Sequence, residues 1–296
     1  MKTFLSSVLP DTGIYFIATP NTKSGGFTHY AFHNLNEMIE EAVRLDQLEL
    51  QVYFACASFS QKSYVDESGK TRYRTTKNAG WAKAFWLDID CGAHKAAAGK
   101  GYATTETAEL AVHQFAVSTG LPSPMIVLSG GGLHCYWPLV ATITKEEWKP
   151  IADKLKALTH QQATKLLADD SRTSDIASVL RPVGTHNWKP EHGGKEVVLK
   201  LDAPTVRFEQ FSKIVNAAHD KYCDIQLTLA HNCEAKNLII NEPETPKNIE
   251  RVKSALSSID PNCDRPIWRN ICFAVHSLSW SCSEQLAKSW SKGDLQ

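Results

Sequence analysis

The 296-residue sequence has no excess of either charge, 32 Lys and Arg balancing 32 Asp and Glu. Net charge therefore gives no sign of nucleic-acid binding, which would have to come from local patches. No apolar run is long enough to span a bilayer, and Met1–Pro10 has too short an apolar core for a secretory signal. The expectation is a soluble, cytoplasmic protein with no membrane partner. Its eight cysteines are scattered singly, without a Cys-x-x-Cys pair, which suits reduced thiols better than a disulfide framework. Period-length repeats and low-complexity runs are missing, so solenoids and disordered arrays are excluded.

What the sequence does have is concentrated in a few stretches. In Lys83-Ala-Phe-Trp-Leu-Asp-Ile-Asp-Cys-Gly92, residues two apart on a strand point the same way. Trp86, Asp88 and Asp90 then share one face, and Phe85, Leu87 and Ile89 the other. Two adjacent carboxylates repel by on the order of 4 kcal/mol at about 4 Å. They call for a cation, and hard oxygen donors on a rigid strand suit Mg²⁺ or Mn²⁺. The bland alternative is a strand that simply ends at Asp90.

Around this strand the pattern alternates helix and strand. Asn34 with Glu37 has the spacing of a capping box before a helix, and 51–57 reads as a strand. Between 62 and 83, Arg72, Arg74 and Lys77 stand among Tyr64, Tyr73 and Trp81, a mixture that can hold phosphates and stack bases or form a solvated hairpin. A helix is expected over 104–119, stopped by Gly120. Strands 125–128 and 133–137 follow, joined by Ser129-Gly130-Gly131-Gly132, whose glycines let backbone approach a phosphate closely. Alternation places His134 and Tyr136 away from the core side. Thr144 with Glu147 opens another helix, which Pro150 should disturb in its first turns. Helices are expected over 176–180, capped by Asp175, and over 208–217, with a strand at 196–201 between them. After a Pro-rich linker, helical stripes at 249–259 and 268–278 indicate a small helical module.

Taken in order, Asp88-x-Asp90, the glycine turn ending at His134, and an acid ahead of Leu180-Arg-Pro-Val-Gly-Thr-His-Asn-Trp-Lys189 resemble the archaeo-eukaryotic primase superfamily, especially the primase-polymerases of phages and plasmids. The resemblance covers roughly the first two thirds of the chain. It implies an α+β fold: a catalytic core over 1–235 with an RRM-like antiparallel sheet backed by helices, a linker over 236–246, and a helical primase C-terminal module over 247–296. In such proteins a helicase follows that module, and the chain is expected to be a fragment of a longer one. A phage-encoded protein would work in the host-cell cytoplasm.

The activity implied is that of a DNA-directed nucleotidyltransferase, a primase and DNA polymerase acting in DNA replication. It would use two Mg²⁺ or Mn²⁺ ions, NTP or dNTP substrates and a single-stranded DNA template. Asp88, Asp90 and Asp170 become metal ligands and, with His134, the catalytic set. For the third acid, spacing back from Arg181 favours Asp170 over Asp169, while Asp175 serves better as a helix cap. Ser129, Gly130, Gly131, Gly132, His134, Arg181, Asn187 and Lys189 become nucleotide-binding residues, and Arg72, Arg74 and Lys77 DNA-binding ones. The chain has Pro182-Val183-Gly184 where relatives often have Leu-Pro-Gly.

Two other functions use the same features. A non-catalytic replication-initiator module would hold single-stranded DNA and nucleotide without turnover, and a metal-dependent nuclease would use paired carboxylates for hydrolysis. A rolling-circle nickase is disfavoured because no His-x-His occurs. His219, Cys223, His231 and Cys233 offer zinc donors, at irregular spacing.

Overall fold

Hydrophobic strands with a two-residue period and amphipathic helices alternate along most of the chain, and the computed structural model shows how they pack. It describes residues 1–21, 25–224, 243–263, 265–278 and 280–294, which fall into two units, Met1–Gln226 and Leu227–Gln296. The expected domain end at 235 and most of the 236–246 linker lie outside the described residues.

The first unit opens with α1 (Lys2–Val8), β1 (Tyr15–Pro20), β2 (Phe27–Phe32), α2 (Leu35–Gln47), β3 (Tyr53–Ala55), β4 (Ser58–Phe59), β5 (Tyr64–Val65), β6 (Thr71–Arg72) and β7 (Ala79–Asp90). It continues through α3 (Ala93–Ala97), α4 (Thr105–Thr119), β8 (Met125–Leu128), β9 (Gly132–Thr144), α5 (Lys145–His160) and α6 (Asp170–Thr173). It closes with β10 (Val179–Leu180), β11 (His186–Asn187), β12 (Lys195–Glu196), β13 (Val198–Leu201) and α7 (Phe208–His219). One sheet has the order β13-β8-β9-β7-β4 and a second the order β10-β3-β1-β2. Every strand pair in them is antiparallel, so the class is α+β. The long β7–β9 ladder sets Asp88 opposite His134 and Asp90 opposite Gly132.

Helix ends follow their capping chemistry. Thr104 and Thr144 both form reciprocal capping boxes, and Gly120 ends α4 in the left-handed region. Asn34 instead caps α2 by accepting from the Asn36 amide at 2.7 Å, without Glu37. Pro150 lies inside α5 without breaking it, because Trp148, Ile151, Ala152 and Leu155 bury the helix against the core.

Two expectations are corrected. Residues 176–180 form a turn running into β10 rather than a helix; Asp175 accepts from the Ala177 amide, and Val179 and Leu180 pair with β3. His134 and Tyr136 do not leave the core side, since β9 is buried on both faces. Tyr136 packs on Phe4 of α1 with ring centroids 5.3 Å apart, while Trp137 and Phe85 pack on Phe211 of α7 at 5.8 and 4.6 Å. A sheet covered on both sides loses the alternation that a half-exposed sheet shows.

The second unit holds α8 (Pro246–Ser257), α9 (Arg265–His276) and α10 (Ser283–Ser291) around Leu256, Val275, Trp280, Leu286 and Trp290. The Trp290 indole donates to the Ile259 carbonyl at 3.0 Å, tying the last helix to the end of the first.

Gly132 is where β9 comes closest to β7: a Cβ there would lie 2.0 Å from the Ile89 carbonyl oxygen. Gly132→Ala should therefore lower stability by about 1–3 kcal/mol through overpacking. A thermal melt followed by circular dichroism checks this, and an unchanged midpoint would show that the strands can separate freely there.

Candidate active site

The C-terminal end of β7 is built to gather acids. Asp88 and Asp90 project from one face of the strand, and the edge not paired with β9 accepts other chain segments. The Asp169 amide donates to the Asp88 carbonyl at 2.7 Å, and the Tyr102 amide to the Asp90 carbonyl at 3.0 Å. Asp169 caps α6, its carboxylate accepting from the amide and hydroxyl of Ser171 at 2.8 and 2.7 Å. It thereby enters the same hollow as the β7 acids.

That hollow, of about 240 Å³, is lined by Asp88, Asp90 and Asp169 together with Lys95, Arg172, Arg181, Lys189, His134 and His192, and its remaining wall includes Ser129, Gly131, Asn187, Phe27 and Tyr53. Asp170, the favoured third acid, is corrected in position: the first turn of α6 directs its carboxylate to His160, 2.7 Å away, and it does not line this hollow. Asp175 is used in its own turn and also accepts from Thr76.

The electrostatics are unbalanced toward the acids. Burial, then Asp90, then Asp169 push the Asp88 carboxyl up to about 7, against the opposing pull of Arg172 and Arg181. Asp90 is met by Lys95 at 2.6 Å and Asp169 by Arg172 at 3.8 Å. Among the described residues, no three Asp, Glu, His or Cys side chains converge as a ready ligand set. The donor chemistry nevertheless fits a hard divalent cation: aspartates face one space, and one of them resists ionising because it is buried beside two other acids. A cation there would compete with Lys95 for Asp90.

His134 sits beside this group, Nε2 lying 3.7 Å from an Asp88 oxygen. Burial and the nearby Arg181 hold it down at about 3, so the ring is neutral, and Nδ1 has no hydrogen-bond partner among the described residues. Arg181 is buried, its guanidinium donating to Gln51 and to the Tyr53 hydroxyl at 2.8 and 2.7 Å and lying over the Tyr53 ring at 4.7 Å.

The glycine turn closes the opposite wall. Gly130 has a φ of +76°, and a Cβ on it would meet Asn187 at 2.7 Å, so only glycine lets the turn and the Asn187 segment touch. Asn187 in turn donates to the Ser129 carbonyl at 3.3 Å. His192 packs over Gly131, where an added Cβ would lie 2.6 Å from its ring nitrogen.

The residues expected to contact DNA are differently disposed. Arg72 is held by Asp66 at 2.6 Å, Lys77 lies over Tyr64 at 5.8 Å, and Arg74 is tucked over Phe27 at 5.6 Å. Of the zinc candidates, His231 and Cys233 lie outside the described residues.

Sequence reasoning missed Phe27, Tyr53, Lys95, Arg172, His192 and Asp46. Lys95 and Arg172 each lie close to an acid in sequence, which could have marked them. Asp46 is the least legible. Buried at the end of α2, it accepts from the His186 amide at 2.8 Å, the His186 ring at 2.8 Å and the Trp188 indole at 2.9 Å. It fixes the segment that carries Asn187 and Lys189.

No family model matches the chain, and no curated protein matches it significantly. Among solved structures, the AEP domain of the cyanophage S-2L primase-polymerase is similar at 13% identity and a TM-score of 0.47, over 69% of this chain and 89% of that one. The catalytic domain of primase RepB′ in complex with initiator DNA gives 14% and 0.43, over 77% and 93%. Primase RepB′ itself gives 13% and 0.44, over 98% and 91%.

Because folding raises the Asp88 pKa, the acid's contribution to stability is full below its unfolded value near 4 and is lost as pH rises through about 7. In metal-free buffer the melting temperature should fall over this window, and Asp88→Asn should flatten that fall. A pH series of thermal melts on both proteins measures it. Asp46→Ala should lower the melting temperature as well, since it strands three donors at a buried site; equal melts would deny the anchor.

Proposed function

We propose that the chain is a template-directed DNA primase-polymerase, joining nucleoside triphosphates on a single-stranded DNA template. The observation that carries this reading is that Asp88 and Asp90 of β7 and Asp169 of a distant segment line one hollow with Lys95, Arg172, Arg181 and Lys189. A nucleoside triphosphate with divalent metal has the matching charge pattern, cation against the acids and phosphate oxygens against the bases.

In this reading Asp88, Asp90 and Asp169 would hold Mg²⁺ or Mn²⁺. Such ions supply the charge that acidifies a primer 3′-hydroxyl and steadies the departing pyrophosphate. Arg181 and Lys189 neutralise the triphosphate, and the Asn187 contact with Ser129 keeps the glycine turn seated. His134, being neutral, donates a hydrogen bond rather than a positive charge. No side chain is required as a covalent nucleophile.

A second reading, an initiator module that holds nucleotide and DNA without turnover, is favoured by one feature: Lys95 already satisfies Asp90. Turnover separates the two.

Primer extension with labelled dNTPs and Mn²⁺ on a primed single strand, with NTPs in parallel, is the test. Asp88→Asn and Asp169→Asn should each reduce the rate by at least about 100-fold, with far-ultraviolet dichroism unchanged. Asp170→Asn should stay within a few-fold of the parent, since it faces His160. No extension by the unaltered protein, or full activity in Asp88→Asn, would overturn the reading.

A further inference from the structure

Outside the hollow, β2 carries a row of rings that the proposed chemistry does not use. Phe27, which lines the hollow, is followed two residues on by His29 on the same face of the strand, with ring centroids 6.3 Å apart. Tyr73 stacks on His29 at 5.5 Å with planes 15° apart. On the other side Phe27 meets Tyr53 edge-on at 5.8 Å. The rings thus run without a gap from the hollow to the β5–β6 hairpin. All of β2 is only half-buried, and Tyr73 is 42% exposed.

This row is rigidly supported. The buried Asn78 side chain donates to the carbonyls of Tyr73 and Gln61, each at 2.7 Å, and accepts from the Gln61 amide at 3.0 Å. The loop bearing Tyr73 is therefore fixed before any ligand arrives. Its surroundings are basic: Lys62 to Lys77 holds five Lys and Arg against Asp66 and Glu67. Arg74 lies over Phe27 with its Nε without a hydrogen-bond partner among the described residues. Half-exposed rings edged by cations match an unpaired strand, whose bases offer π-faces and whose phosphates are anionic.

We infer that Tyr73, backed by the His29 ring stacked beneath it, and Phe27 form a stacking track for the unpaired bases of single-stranded DNA leading into the hollow, with Arg74 beside it for the phosphates. The inference rests on the proposed polymerase reading for what occupies the hollow, and it shifts the weight of DNA binding from cation contacts to aromatic stacking. Arg72 and Lys77, engaged by Asp66 and Tyr64, are secondary.

The test compares binding of labelled oligothymidylate with that of an equally long strand whose sugars carry no bases, by fluorescence anisotropy on the full chain. The unaltered protein should prefer the base-bearing strand by about tenfold or more. Tyr73→Ala should remove most of that preference without weakening binding of the base-free strand, and Tyr73→Phe should keep it. Binding of a labelled nucleotide with Mn²⁺ is measured on the same proteins and should be unchanged by Tyr73→Ala. Equal affinity for both strands, or an unaltered preference in Tyr73→Ala, overturns the track even if nucleotide binding and primer extension succeed. Failure of primer extension with the strand preference intact overturns the polymerase reading and leaves the track standing.

Discussion

The carboxylate of Asp88 sets the terms for the rest of the first unit. It is held close to Asp90 and Asp169 in a poorly solvated pocket, and it resists ionisation first because it is buried and then because those two acids repel its charge. A buried charge without compensation is strongly destabilising, so the surrounding chain must supply cations or neutralise the acid. Lys95, Arg172 and Arg181 do the first, each from a different segment. None of them satisfies Asp88 fully, which leaves the pocket with a standing affinity for positive charge.

Backbone hydrogen bonds, more than side-chain ones, keep this unfavourable cluster together. The Asp169 amide on the Asp88 carbonyl, the Tyr102 amide on the Asp90 carbonyl and the Cys91 amide on the Gly131 carbonyl, at 2.7, 3.0 and 3.0 Å, lock three segments to the end of β7. Such bonds do not weaken when the side chains titrate. The acids can therefore change charge or partner while their backbones stay in place, which is what the proposed exchange of Lys95 for a metal ion requires. The lysine on Asp90 fits this arrangement, because a half-exposed ammonium is easily displaced.

Several of these features were legible in the sequence because they depend on local rules. A two-residue period put Asp88 and Asp90 on one face, and consecutive glycines marked a turn that approaches other backbone closely. What escaped depends on packing between distant segments. His134 was expected to point away from the core, but α1 and the helices on the opposite side bury both faces of β9, so alternation carried no information there. Choosing between Asp169 and Asp170 needed the direction in which α6 starts, and spacing alone is blind to a rotation of one residue. Phe27 and Tyr53 enter the hollow from a separate sheet that has no motif of its own.

Asp46 shows how far from the acids the arrangement extends. It lies in the last turn of α2, 140 residues before the His186 whose amide it accepts from. With three donors satisfied by one buried carboxylate, the turn through His186 and Trp188 can take only the conformation that presents Asn187 to the glycine turn. The glycine turn in turn sits against Ile89, next to the acids. A chain of direct contacts thus runs from the end of α2 through the basic segment and the glycines to β7. The acidic and basic walls of the hollow are not independent surfaces, and a change at Asp46 reaches the basic wall without lining the hollow itself.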